Sequence, residues 1–175
     1  MGSALRWTGP ALAGVLTASP LAAQEMVSSY TRHHYEACRK SPAGNDLMET
    51  TCIGPAGIRI VWTAEADSTS VNFGKRTIGE SLFEGLEFFE AGTTIEWRGP
   101  KGRRPQIAIL RYKAGKTIGN LDVTRLVVHR IGQDDVSCIV GSVDGRGKDA
   151  NAQARRLADE NGGTFRCGQD KRLDR

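Results

Sequence analysis

A mainly β, α+β domain is the fold class this sequence predicts: an antiparallel sheet or small barrel or sandwich, with one helix near residues 149–161. Three observations predict it. Apolar and polar residues alternate in several short runs, and one segment alone has clear helical spacing. Glycine is frequent (21 residues) while aromatic residues make up only 6%, a composition of turns and short strands.

The elements follow in chain order. Residues 30–40 fit either a strand or a short helix, and periodicity does not decide between them. Ser41-Pro42-Ala43-Gly44-Asn45-Asp46 is a loop signal, and Cys52-Ile53-Gly54-Pro55-Ala56-Gly57 a second turn. In residues 58–66, Ile58, Ile60, Trp62 and Ala64 share one face of a half-buried strand, and Val71 and Phe73 repeat the pattern. Thr77-Ile78-Gly79-Glu80 has capping-box spacing, which predicts a helical turn through Phe83. Residues 86–89 and 93–98 read as a hairpin turning at Glu90-Ala91-Gly92, with Ile95 and Trp97 inward and Glu96 and Arg98 outward. Gly99-Pro100-Lys101-Gly102-Arg103-Arg104 is a basic loop. Residues 106–112, apolar on both faces, predict a central strand, and 122–130 and 136–143 predict two more. In the helix, Asp149 is the expected N-cap, Ala150, Ala154, Leu157 and Ala158 form one apolar stripe, and Asn161-Gly162-Gly163 ends it. Arg155 and Arg156 stand four residues before Asp159 and Glu160, a spacing that permits pairing along the helix. Residues 164–167 then return as a short strand or extended tail.

The chain has 175 residues, a formal net charge of +4, 39% hydrophobic and 25% charged residues, which is globular rather than disordered. Residues 1–23 read as a secretory signal: Arg6, the apolar run Ala11-Leu12-Ala13-Gly14-Val15-Leu16, then Leu21-Ala22-Ala23 before Gln24. Gly9-Pro10, Gly14 and Pro20 argue against a buried helix there. Residues 24–175 then form a single domain of about 150 residues. Its charge of about +3, after loss of Arg6, is too mild to indicate nucleic acid. No membrane span is expected after signal removal, and the localisation expected is periplasmic or secreted.

All four cysteines, Cys38, Cys52, Cys138 and Cys167, lie in this domain. An even number in an exported chain favours disulfides. Three connectivities are possible; Cys38–Cys52 with Cys138–Cys167 is preferred because each pair is local and flanks its own unit. No CxxC spacing supports a thiolate metal site.

Three blocks carry a resemblance. They are Thr94-Ile95-Glu96-Trp97-Arg98-Gly99, the strand Ile107-Ala108-Ile109-Leu110-Arg111-Tyr112, and a C-terminal series. That series runs through Cys138, Val143-Asp144, Ala150-Asn151, Ala154-Arg155, Leu157-Ala158-Asp159 and Phe165-Arg166-Cys167. Together they resemble a family of small exported bacterial proteins of unknown function. The resemblance implies an exported, disulfide-containing domain and no activity.

Candidate chemistry is sparse. His33 and Glu36, with His129 from afar, are the residue types of a metal site, but the adjacent His33 and His34 point to opposite faces of a strand. Half-buried or surface histidines are the simpler reading, and His129, between Val128 and Arg130, reads as a sheet-face residue. Gly141-Ser142-Val143-Asp144-Gly145 lacks the G-x-S-x-G order of a nucleophile elbow. Ala114-Gly115-Lys116-Thr117 lacks the first P-loop glycine, since Leu110 stands there, and 141–148 has the wrong spacing. Arg146 and Lys148 at ligand positions argue against a calcium loop beginning at Asp144. No cofactor is indicated. Glu84, Glu87 and Glu90, interleaved with Phe83, Phe88 and Phe89, read as the wet side of a strand and its turn.

Lys101, Arg103 and Arg104 are the sharpest charge cluster and the candidate binding patch, suited to an anionic envelope component or an acidic protein partner. Read as a solvated hairpin tip, their replacement by alanine should barely change the melting point. The function expected is an exported, non-enzymatic domain that binds a macromolecular partner in the envelope, a lysozyme-inhibitor-like role being one concrete form. The alternative is a cell-wall or glycan hydrolase using paired carboxylates, which requires two of them in one cleft.

Overall fold

The computed structural model describes residues 24–41, 47–79 and 81–175. The expected signal at 1–23, most of the 41–46 loop and Glu80 of the capping box lie outside the described residues. In chain order the strands are β1 (Met26–Arg32), β2 (Arg39–Lys40), β3 (Leu47–Ile53), β4 (Arg59–Glu65), β5 (Ser68–Phe73) and β6 (Arg76–Thr77). There follow β7 (Phe88–Pro100), β8 (Ile107–Gly115), β9 (Val123–Ile131), β10 (Val136–Asp144), the helix α1 (Ala150–Asn161) and β11 (Leu173–Asp174).

They build three layers. The large sheet has the order β1-β7-β8-β9-β10, antiparallel throughout, and β6 and β11 both add parallel to the outer edge of β10. A small antiparallel sheet, β2-β3-β4-β5, covers one face, and α1 covers the other. No barrel closes. Two covered faces explain why β8 carries apolar residues on both: Ala108, Leu110, Tyr112 and Ala114 belong to the core shared with the small sheet, and Ile107 and Ile109 to the core under the helix.

The layer between the sheets is aromatic and aliphatic, with Trp97, Phe73, Tyr112, Ile60 and Leu110 essentially fully buried. The small sheet's edge strand β5 is held to the large sheet by side-chain hydroxyls. The Val71 N–H donates to the Tyr112 hydroxyl (3.0 Å), Ser137 Oγ donates to the Phe73 carbonyl (2.6 Å), and the Ala91 N–H donates to Thr69 Oγ1 (2.9 Å). These bonds satisfy an edge that a third sheet partner would otherwise have to pair.

Under the helix, Ala150, Ala154, Leu157 and Ala158 face Ile107, Leu126, Val128 and Val140, as the stripe predicts. Both disulfides form in the preferred pairing. Cys38–Cys52 ties the link before β2 to β3, and Cys138–Cys167 ties β10 to the chain beyond α1.

Several local expectations are corrected. Glu90-Ala91-Gly92 is not a turn: β7 runs through it with a register shift between Ala91 and Ile95. A bulge and a turn share the glycine signal, and a Cβ at Gly92 would crowd the Arg111 carbonyl across the ladder at 2.9 Å. Residues 30–40 divide into the end of β1, a 3-10 turn (Tyr35–Ala37) and β2. Thr77 ends a short strand rather than starting a helix, because its register partner Ser137 takes up its hydroxyl (2.9 Å). Asp149 does not cap the helix backbone; its carboxylate accepts from Gln153 Nε2 (2.8 Å). Residues 164–167 form no strand, and the returning strand is β11, further along. It pairs opposite Gly141, where any Cβ would collide with the Leu173 carbonyl.

Candidate functional site: a basic cleft at one end of the large sheet

The basic loop joins β7 to β8, beside the short turn that joins β9 to β10. Its three cations are not equivalent. Arg104 donates to the Asp135 carboxylate and to the Gly132 carbonyl (3.1 Å), bracing the neighbouring turn. Lys101 reaches Glu25 at 3.2 Å, with both side chains exposed. Arg103 is exposed and has no side-chain partner among the described residues. The expectation that all three are dispensable for stability is therefore corrected for Arg104, whose guanidinium bridges two loops.

Two clefts open on this end of the sheet. One of about 460 Å³ is lined by Gln24, Arg103, Arg104, Gln106 and Gln133, the other of about 600 Å³ by Arg76, Arg130, Gln106, Gln133 and Asp134. They share Gln106, Ile131 and Gln133 and so adjoin around the 132–135 turn, together a basic groove. Arg76 is exposed and without a side-chain partner among the described residues. Arg130 spends one N–H on the Phe165 carbonyl (2.6 Å). The two clefts thus offer guanidinium groups beside shared amides, with Asp134 the one acid among their lining residues, an arrangement that can grip anions through charge and forked hydrogen bonds.

Arg76 and Arg130 escape a local reading of the sequence. Arg76 has only Lys75 beside it and Arg130 no basic neighbour but His129, and only the parallel pairing of β6 with β10 and the antiparallel β9–β10 pairing bring them to this end. The isolated Gly74-Lys75-Arg76 step was the available signal.

The other candidates fall elsewhere. His33 Nε2 lies 2.7 Å from Thr31 Oγ1, and its ring stacks on Tyr35. His129 is buried between the sheets, packed edge-on against Phe73 with ring centroids 5.0 Å apart. Among the described residues, no group of three or more His, Cys, Asp or Glu converges as metal ligands would. Ser142 is buried in β10 and donates to Asp174 (2.7 Å), while neither His129 nitrogen has a protein partner, so no serine–histidine pair forms. Asp144 does end its strand, but Arg146 occupies its carboxylate and holds the group well down, at about 2.

Glu96 is a further correction. It does not face solvent: α1 covers that side, and the side chain is 7% exposed. Ser28 Oγ donates to it at 2.5 Å and Arg155 Nε at 2.7 Å, while Arg155 also donates to the Tyr30 hydroxyl (2.6 Å). Arg98, beside it, forms a two-bond pair with Asp159 (2.5 and 2.6 Å). Of the four residues expected to pair along the helix, Arg155 and Asp159 pair instead across to Glu96 and Arg98 of the sheet, and Glu160 reaches Arg175 (3.9 Å).

The acidic segment behaves as expected, with Glu84, Glu87 and Glu90 all exposed, Phe83 buried, and Phe88 and Phe89 half-buried. Glu87 joins Glu65 and Asp67 around a cleft of about 310 Å³ that Phe88 and Phe89 also line.

No protein-family model, curated protein or solved structure matches this chain.

Proposed function

We propose that this chain is an exported binding domain whose basic groove holds a phosphate-bearing polymer of the cell envelope. The observation that supports the reading most is the adjacency of the two clefts: Arg76 and Arg130 line one, Arg103 and Arg104 the other, and Gln106 and Gln133 line both. A single exposed arginine is ordinary surface. Four around one groove, two of them without side-chain partners among the described residues, raise the local concentration of polyanions by Coulomb attraction. The two disulfides suit a periplasmic or secreted setting, where they persist without a reducing pool.

The test is titration of the oxidised domain with linear polyphosphate, with polyglutamate as an acidic-polypeptide comparator. Polyphosphate should bind with an affinity that falls steeply with salt, and the double variant R76A/R103A should bind roughly tenfold more weakly, the sum of two exposed charge contacts. Equal binding by the variant excludes the groove. Preference for polyglutamate turns the reading towards a protein partner.

One observation favours the hydrolase as a second reading: Glu65, Asp67 and Glu87 share a cleft with two phenylalanines. All three carboxylates are exposed, however, and none is enclosed by apolar side chains. Release of soluble sugars from purified peptidoglycan by the native domain, abolished in Glu87→Gln, would establish it over the binding reading.

A further inference from the structure

Each of the two sheets has two edges, and three of the four are blunted. At one end of the large sheet, β6 and β11 both pair with the outer side of β10. In the small sheet, β5 is held by the Tyr112 and Ser137 hydroxyls, and β2 is only two residues long. The fourth edge is β1, at the other end of the large sheet, and no further strand covers it among the described residues.

The pairing of β1 with β7 decides which of its backbone groups are left over. At the two ends of the ladder the Lys101 N–H donates to the Glu25 carbonyl (3.0 Å) and the His33 N–H to the Thr93 carbonyl (2.8 Å). The register between them is unbroken, so the odd-numbered residues bond inward to β7. Met26, Ser28, Tyr30 and Arg32 therefore turn their N–H and C=O groups outward. An edge of this kind is a template for another strand. The devices that blunt such edges are missing from β1: its seven residues include no proline, no bulge and one charge, Arg32. It also carries two of the exposed large hydrophobic side chains, Val27 (36%) and Tyr30 (55%).

We propose that this edge docks a second copy of the chain, β1 against β1, antiparallel about a two-fold axis at Ser29, so that the two large sheets become one. The strand is complementary to itself in that register. Ser28 meets Tyr30 and Met26 meets Arg32 in hydrogen-bonded pairs, so every outward N–H and C=O of β1 finds a partner. Val27 meets Thr31, and Ser29 meets its own copy. The strand's one charge falls opposite Met26 rather than opposite another arginine, and just beyond the strand Glu25 falls opposite His33. An axis at Ser28 or at Tyr30 would pair fewer of the seven residues with one another. The interface is independent of the basic groove, whose arginines lie on other strands and loops.

The test is sedimentation equilibrium of the oxidised protein over a wide concentration range, with amide hydrogen exchange on the same samples. The mass should rise to that of two chains. In the dimer the outward amides of Ser28, Tyr30 and Arg32 should be as protected as the inward amides of Ser29 and Thr31, and they alone should lose protection on dilution. Ser29 is exposed and makes no side-chain hydrogen bond among the described residues, so Ser29→Lys should keep the melting point. It sets two ammonium groups opposite each other at the axis and should weaken association about tenfold, while Ser29→Thr should leave it unchanged. A single-chain mass up to the solubility limit overturns the proposal and leaves the edge to a strand of another protein. A dimer that Ser29→Lys does not weaken, or one whose outward β1 amides exchange freely, overturns it as well.

Discussion

The two faces of the large sheet solve the same problem in different ways. Beneath α1 every charged group that leaves solvent finds an opposite charge or a carbonyl: Glu96 with Arg155 and Ser28, Arg98 with Asp159, Arg130 with the Phe165 carbonyl. Beneath the small sheet the core is larger and more aromatic, and it leaves Thr50 Oγ1 and both His129 nitrogens without protein partners. The helix face is complete in itself. The other face keeps unpaired hydrogen-bonding capacity.

The largest expected effect tests how firmly the helix face is closed. Cys138–Cys167 closes a loop with a sequence separation of 29 residues, against 14 for Cys38–Cys52. On the loop-entropy relation, C138S/C167S should lose about 3.5 kcal/mol of unfolding free energy, and C38S/C52S about 3. Urea denaturation of the two variants measures both. A smaller loss at the 138–167 pair would mean that packing and ion pairs already hold α1 without its staple.

Next is the buried carboxylate. Arg155→Ala leaves Glu96 beneath the helix without its cation. The arginine side chain is 37% exposed, so solvent screens part of the loss, and about 2 kcal/mol is expected. Replacing both residues by leucine should restore most of it, since an apolar pair leaves no orphaned charge. Failure of the double variant to recover would show that Tyr30 and Ser28 depend on the pair.

These two predictions mark the boundary of what the sequence disclosed. Local residue patterns placed β4, β9 and β10 to within one residue and β8 to within three, and the alanine–leucine stripe placed α1. Glu96 misled for a physical reason. Alternation reports that a strand has two faces of different polarity, and it does not say which one a later element will cover. The three two-residue strands carry too few residues for any period to show, and Arg76 reaches the groove only through one of them. The buried histidine was visible in the sequence as a sheet-face residue; its missing partners became visible only once the small sheet lay over it.

A smaller effect separates the two arginines of the basic loop. Arg104→Ala should cost about 1 kcal/mol, read by thermal unfolding, because its guanidinium braces the 132–135 turn. Arg103→Ala should be neutral. Equal effects would make the loop either wholly structural or wholly free.

The last effect concerns pH and is read as a slope. His129 titrates at about 3 in the folded protein against 6.5 as its ordinary value, so the unfolded chain binds the extra proton between those limits. The stability this neutral imidazole contributes is complete above about pH 6.5 and declines as the pH falls towards 3. His129→Leu should flatten the stability profile between about pH 6 and 4.5, where most carboxylates have yet to titrate. An unchanged slope there would mean that the imidazole is solvated in the native state, which is the condition the comparison of the two faces denies.

The most direct test of the functional account is arginine side-chain NMR of the oxidised domain with polyphosphate added. The account predicts that the Nε–H signals of Arg76, Arg103 and Arg130 move together and saturate at one concentration, while those of Arg98 and Arg155 beneath the helix stay still. Movement scattered over all exposed arginines, or none at the groove, would contradict it.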